Sequence, residues 1–320
     1  MKTTRTSKVL VSLLLVAGLL LALQGGLTQA KTAGQEAKIQ KTYPKNPVHH
    51  CVMDDYDTED HTDWYYVYFG SYPQTEVTGE ALTSEIIKAS YDENGDAWVN
   101  DVKYRRISKK DTNNNQYFGE HNYRYFKWEP IKWRVLHNDN NALFLVADKG
   151  IDCKDYHTFG ADISWENSTI RSWLNMDFYN TAFSSEEQKA IVKQTIVNDD
   201  NPEYGTKGGN NTEDKIFLLS VEEVLNPGYG YCDRYDLKSS THTVQVSDYA
   251  HAMGAYANAN CYQGNGWWWL RSPGYTTFHA VYMGCYGFVH PDGDYIDAYD
   301  KTCVPALYLD VSSNLWFCKD

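Results

Sequence analysis

The chain reads as an α+β protein, and three observations predict it. Strand-like segments gather at both ends, segments of helical period lie between them, and strand never alternates with helix as it does in a doubly wound nucleotide-binding sheet. No glycine-rich phosphate loop is present.

Taken in order, Trp64-Tyr65-Tyr66-Val67-Tyr68-Phe69 is aromatic and β-branched and is stopped by Gly70 and Pro73, which predicts a strand. Asn94-Gly95 is a hairpin signal beside the strand-like Ala97-Trp98-Val99 and Val102-Lys103-Tyr104. Read as a calcium loop, the same stretch has Ala97 and Lys103 where that motif needs glycine and a final carboxylate. Residues 131–136 and 142–147 are two further apolar strands, joined by polar residues 137–141. The period then changes. Ile170, Trp173 and Leu174 fall at i, i+3 and i+4 and predict a helix over 166–176. Ser184 with Glu187 forms a capping box that opens a helix over 185–193, and Ser220 with Glu223 opens a third, short one. Residues 199–214 read as an Asn/Gly loop, 215–219 as a short strand, and 226–263 as irregular but packed.

At the N-terminus, Lys2, Arg5 and Lys8 precede an uncharged apolar run from Val9 to Leu23, followed by small residues ending at Ala30. Charge, length and cleavage chemistry predict a secretory signal over 1–30, and the run is shorter than the roughly 20 residues a spanning helix needs. The expected product is an exported protein with no membrane attachment beyond that signal. Residues 31–63 are polar and without periodicity and read as a linker or arm, leaving 64–320 as one domain.

Loss of the leader removes three basic residues and no acid, leaving 26 basic against 42 acidic residues and a net charge of −16. Nucleic acid is excluded as a partner, because phosphate neutralisation needs clustered Lys and Arg. Seven cysteines are scattered without a Cys-x-x-Cys pair, so zinc is not expected from their spacing, and the odd count leaves at least one outside any pairing. Cys51 and Cys318 flank the folded region and would staple its ends if those ends meet.

The order of several motifs is more specific than any one of them. Tyr68-Phe69-Gly70-Ser71-Tyr72-Pro73-Gln74 is followed by Pro130-Ile131-Lys132-Trp133-Arg134-Val135-Leu136, then by Trp165-Glu166-Asn167-Ser168 with Ile170-Arg171 and Trp173-Leu174-Asn175. Trp268-Trp269-Leu270-Arg271-Ser272-Pro273-Gly274 and Pro305-Ala306-Leu307 complete the set. Together they resemble a bacterial exported domain family of unknown function, from about residue 64 to 310. The resemblance implies a C-type-lectin-like fold of the branch that includes formylglycine-generating enzyme. Such a fold would bring the first and last strands into one antiparallel sheet, and it favours the Cys51–Cys318 disulfide. The family usually has Arg immediately before Pro-Ala-Leu; this chain has Val304.

Function has to be argued from a site. Residues 275–300 are dominated by Tyr and small polar residues, a composition that supplies contact area at low entropic cost. Of the residue types that retroelement diversification of AAC codons cannot produce, only Met283 occurs in the window. A diversified variable patch and an ordinary Gly/Tyr-rich hairpin both fit. Tyr275, Phe278, Tyr282, Tyr286, Tyr295 and Tyr299 are the candidate anchors, with His279, His290, Asp292, Asp294 and Asp297 for polar selectivity. Strand alternation implies that about half of these point outward and that at least one of Trp267, Trp268 and Trp269 belongs to the core; two core tryptophans are expected. No cofactor is expected; calcium is the one ion for which Asp292, Asp294, Asp297 and Asp300 offer ligands.

No nucleophile elbow or zinc-protease helix occurs, and His49-His50-Cys51 falls in the arm, away from any expected pocket. The reading is therefore an exported lectin-like recognition domain for a glycan or a surface protein. The competing class is an enzyme on the same scaffold, either a hydrolase or an oxidase like formylglycine-generating enzyme. For the oxidase, Cys285 and Cys303 lie in the right third of the chain but without the surrounding motif.

Overall fold

Alternation of apolar and polar residues along one long strand organises the larger of two principal sheets. The structure is a computed structural model that describes residues 43–53, 58–159, 162–258 and 264–318. The expected leader lies outside these residues, and among the described residues no helix is long and apolar enough to cross a membrane.

The first half of the chain contributes β1 (Val48–Met53), β2 (Thr58–Asp63), β3 (Tyr66–Glu76), β4 (Asp96–Val99), β5 (Val102–Ile107), β6 (Arg124–Asn138), β7 (Ala142–Ala147) and β8 (Asp152–Cys153). The second half adds β9 (Ile191–Val192), β10 (Ile216–Phe217), β11 (Trp268–Pro273), β12 (His279–Met283), β13 (Val289–Tyr295), β14 (Thr302–Cys303) and β15 (Ala306–Asp310). The larger sheet runs β9-β15-β7-β6-β5-β4, with β10 also paired to β15 and β3 also paired to β6. On β6, Ile131, Trp133 and Val135 are buried. Lys132 and Arg134 take the other face and share Asp148 at 3.0 and 2.7 Å. The buried Trp133 indole satisfies its N–H on the Phe69 carbonyl at 2.8 Å, as a buried donor must. The chain is α+β, rich in strand and with short helices.

The helical segment starts at Thr169, where the Ser168 hydroxyl accepts from the Arg171 N–H, and continues through a π turn, Leu174–Phe178, to Ala182. Ile170, Leu174 and Phe178 bury one stripe, and Phe178 meets Tyr72 edge-on at 5.3 Å. Each such burial contributes roughly 1.5–3 kcal/mol relative to exposure. The predicted helix over 185–193 is shorter. Its capping box is present, since Ser184 N–H reaches Glu187 Oε2 at 2.8 Å and Glu187 N–H reaches Ser184 Oγ at 3.3 Å. The helix nevertheless ends at Ala190, because β-branched Ile191 and Val192 pair with Leu309 and Tyr308 as β9. The box at Ser220 and Glu223 caps Val221–Val224 as expected.

Two local expectations change. The β4–β5 hairpin turns at Asn100-Asp101, both at positive φ, rather than at Asn94-Gly95. The latter forms the preceding turn, held by Asp92 Oδ1 accepting from the Asn94 and Asp96 N–H groups. The second difference concerns residues 31–63, expected to be a linker. From Pro44 onward the chain belongs to the folded unit, and β1 and β2 form a hairpin. That hairpin is docked by Thr62 Oγ1 donating to the Gly230 carbonyl and by Ser240 donating to the Asp60 carbonyl.

The smaller sheet runs β13-β12-β11-β14-β8. Tyr68 on β3 exchanges backbone hydrogen bonds with Phe317 at 2.8 and 3.2 Å, so the strand-like segments near the two chain ends do meet. The Cys51–Cys318 disulfide is not formed, because Cys51 stands on β1 as an exposed free thiol.

Candidate functional site

The site grows from β11. All six of its residues are buried, so the strand is wall rather than surface. Trp268 donates its indole N–H to the His242 carbonyl at 3.1 Å, and Trp269 donates to the Lys154 carbonyl at 3.0 Å. Trp267 is half-buried and stacks on Tyr256 at 4.2 Å. Arg271, also buried, is spent on the Leu218 carbonyl and the Glu223 carboxylate. Two of the three consecutive tryptophans are therefore core.

The chain reverses after β11 through 274–278. Gly274 is required there, because a Cβ would sit 2.4 Å from the Asp292 carbonyl oxygen. Its N–H donates to the His279 carbonyl at 2.7 Å, and the Tyr275 N–H donates to the Asp292 carbonyl at 2.9 Å. Asn201 fastens the turn from outside, its side-chain amide donating to the carbonyls of Pro273 and Pro291 at 2.7 and 2.8 Å. This backbone holds Tyr275, Phe278 and Tyr295 in solvent at 48%, 43% and 62% exposure.

Between two of these rings lies His279, which is buried. Its imidazole sits 4.2 Å from the Tyr275 ring and 4.6 Å from the Tyr295 ring, and Tyr204 adds an edge contact to Tyr275 at 6.1 Å. Tyr204, Tyr275, His279 and Tyr295 thus form a ladder of rings. Burial holds the His279 imidazole below its ordinary pKa, favouring the neutral ring. Thr276 Oγ1 lies 2.8 Å from its Nδ1 and fixes the ring plane.

The remaining candidates divide. Tyr282 and His290 stack at 4.4 Å and 5° as a cross-strand pair, half-buried in the middle of the hairpin. Burial, with the Asp294 carboxylate nearby, pushes the Tyr282 phenol up to about 12, and burial pushes His290 down. Tyr286 is exposed but lies at the far turn, beside Lys238 and a cavity of about 520 Å³, away from the ladder. Tyr299 is exposed in the loop after β13, where its carbonyl accepts from the Asn114 amide at 3.0 Å. Asp292 and Asp297 are exposed.

Asp294 and Asp300, two of the four carboxylates considered for calcium, already share one buried cation. The Lys301 ammonium, on a side chain only 1% exposed, binds Asp294 and reaches Asp300 at 2.7 Å. It also lies 5.0–5.2 Å from the ring centres of Trp267, Trp269 and Tyr282. An internal cation fills the aromatic and acidic cage behind the exposed face.

A second concavity, of about 390 Å³, is lined by Tyr72, Arg105, Asp152, Lys154 and Tyr249 among others. Its polar groups are already engaged: the Tyr72 hydroxyl donates to Asp152 Oδ2 at 2.6 Å, and Arg105 turns to Asp96, outside the lining, through two N–H groups at 2.5 and 2.9 Å. Burial pushes both phenols and the nearby Cys153 and Cys303 thiols up, which keeps them protonated and poor as nucleophiles.

Tyr204 and Asn201 were not predicted. Both lie in the Asn/Gly loop, and only the tertiary contact of that loop with the reversal at 274–278 gives them a role. Compared with known proteins, residues 140–310 match the family described as domain of unknown function DUF6273, and the chain belongs to that family. Neither a curated protein nor a solved structure matches it significantly.

Proposed function

We propose that this DUF6273 member is an exported recognition domain with a lectin-like scaffold, and that it binds glycan through the Tyr204–Tyr275–His279–Tyr295 ladder with Phe278 beside it. The ladder is the observation that carries the reading. Exposed aromatic rings fixed by neighbouring rings and by a glycine-dependent turn offer apolar area already ordered before binding. Sugar rings present C–H faces that stack on such surfaces, and exposed Asp292 supplies an acceptor for hydroxyls on the adjoining turn. The neutral His279 keeps the centre of the ladder free of charge to desolvate.

The test is a glycan and protein array probed with the chain lacking its leader, beside the Tyr275→Ala/Tyr295→Ala double variant. Retention of glycans by the parent and their loss by the folded variant would support the reading. Glycan binding unchanged in the variant would refute the site. Binding to proteins alone would refute the glycan assignment. For the enzyme class, the concavity at Asp152 is the competing location, and Asp152→Asn should leave array binding intact wherever the variant folds.

A further inference from the structure

The β1–β2 hairpin carries a cluster that spacing along the chain does not reveal. In its register His49 faces Thr62 and Cys51 faces Asp60, so residues 49, 51, 60 and 62 share one face while His50 and His61 take the other. One ligand-type atom from each of His49, Cys51 and Asp60 lies within 4.8 Å of the others.

The hydrogen bonds around this cluster leave it short of positive charge. Thr62 Oγ1 commits its hydrogen to the Gly230 carbonyl at 2.6 Å, so it accepts from His49 Nδ1 at 3.1 Å. That places a ring hydrogen on Nδ1, so in the neutral imidazole the Nε2 lone pair faces Asp60 Oδ1, 3.4 Å away. The Asp60 side chain is only 4% exposed, and Oδ1 has no hydrogen-bond partner among the described residues. Its other oxygen accepts from Ser239 Oγ, which orients the carboxylate. With His49 neutral, two acceptors and a thiol converge on one point, and the positive charge that answers them is either a second proton on Nε2, pairing His49 with Asp60, or a bound cation. A distance of 3.4 Å also fits an edge of a tetrahedron built on metal–ligand bonds of about 2.0–2.3 Å.

We propose that His49, Cys51 and Asp60 hold a divalent transition metal ion of the zinc class. His49 binds through Nε2, Asp60 through Oδ1, and Cys51 as thiolate after releasing its proton to solvent. The two anionic ligands balance the charge of the ion. Thr62 and Ser239 are the outer partners that set the imidazole tautomer and the carboxylate orientation. Three protein ligands leave one tetrahedral position open, and Asp60 also lines the cavity of about 520 Å³ shared with Lys238, Ser239 and Tyr286.

The experiment titrates the metal-free, reduced chain with Co²⁺ and then with Zn²⁺. The expected result is thiolate-to-cobalt charge-transfer absorption saturating at one equivalent and abolished when Zn²⁺ displaces the cobalt. Cys51→Ser should remove that absorption. It replaces an exposed side chain, so the fold is retained and an unchanged melting curve verifies this. Asp60→Asn should weaken Zn²⁺ binding by more than the ~10–100-fold typical of losing an outer partner. His50→Ala, on the opposite face with His61 and Asp63, should leave the thiolate absorption unchanged. Absence of thiolate absorption in the parent, its persistence in Cys51→Ser, or an equal loss in His50→Ala would each overturn the assignment.

Discussion

A strand and the hairpin beside it in one sheet put aromatic residues to opposite uses. On β11, Trp268 and Trp269 are sealed on both sides, and each spends its indole N–H on a backbone carbonyl. On the β12–β13 hairpin, His279 is buried while Tyr295 opposite it stands in solvent, and Tyr282 and His290 stack at the halfway depth. Aromatic content alone does not separate the two. Position in the sheet does: β11 lies between β12 and β14, whereas β13 forms an edge. A central strand becomes wall, and an edge hairpin whose turns are held from outside becomes surface.

The sharpest way to break that contrast is to truncate one ring on each side. Trp269→Ala should cost about 3–5 kcal/mol in urea unfolding, the range for a large buried aromatic. A cost below about 1 kcal/mol would mean β11 is not the wall described. Next comes the internal cation. Lys301→Met leaves Asp294 and Asp300 facing an aromatic cage without a counter-charge, and should cost about 3 kcal/mol, the low end for a broken buried pair because both carboxylates keep some solvent. If Lys301→Met were neutral by the same measurement, the cage would have no role in holding the hairpin.

A smaller effect follows from protonation. Burial holds His279 and His290 below the ordinary value of about 6.5, so on acidification the unfolded chain binds protons before the folded one does. Stability should therefore be fully present above about pH 6.5, fall as pH drops through that value, and level off once the folded imidazoles also titrate. His279→Phe should flatten the slope in thermal melts taken across this window. The smallest effect is on the outer face itself. Tyr295→Ala should change stability by no more than about 0.5 kcal/mol, as exposed positions do, while weakening the proposed ligand binding by about 10-fold or more.

Much of this architecture was legible in the chain. The tryptophan block and residues 131–136 and 142–147 announce buried strands by composition. Ser184 with Glu187, and Ser220 with Glu223, mark helix starts by spacing. What was illegible has a common physical origin in contacts between distant segments. Ile191 and Val192 leave the predicted helix because β15 offers them a strand partner. The hairpin turn moves to Asn100-Asp101 because strand pairing, and not the Asn-Gly dipeptide, sets the register. Tyr286 parts from Tyr275 and Tyr295 because it sits in the β12–β13 turn, at the opposite end of β12 from the reversal at 274–278. The cluster of His49, Cys51 and Asp60 escapes a reading by spacing because its members meet across two strands.

The proposed glycan site stands or falls with Tyr275 and Tyr295 as its contact face. Nitration of exposed tyrosines, mapped by mass spectrometry with and without a saturating glycan retained on the array, tests it most directly. Ligand should protect Tyr275 and Tyr295 from nitration while Tyr286 and Tyr299 react as before. Unchanged reactivity of Tyr275 and Tyr295 in the saturated complex would contradict it.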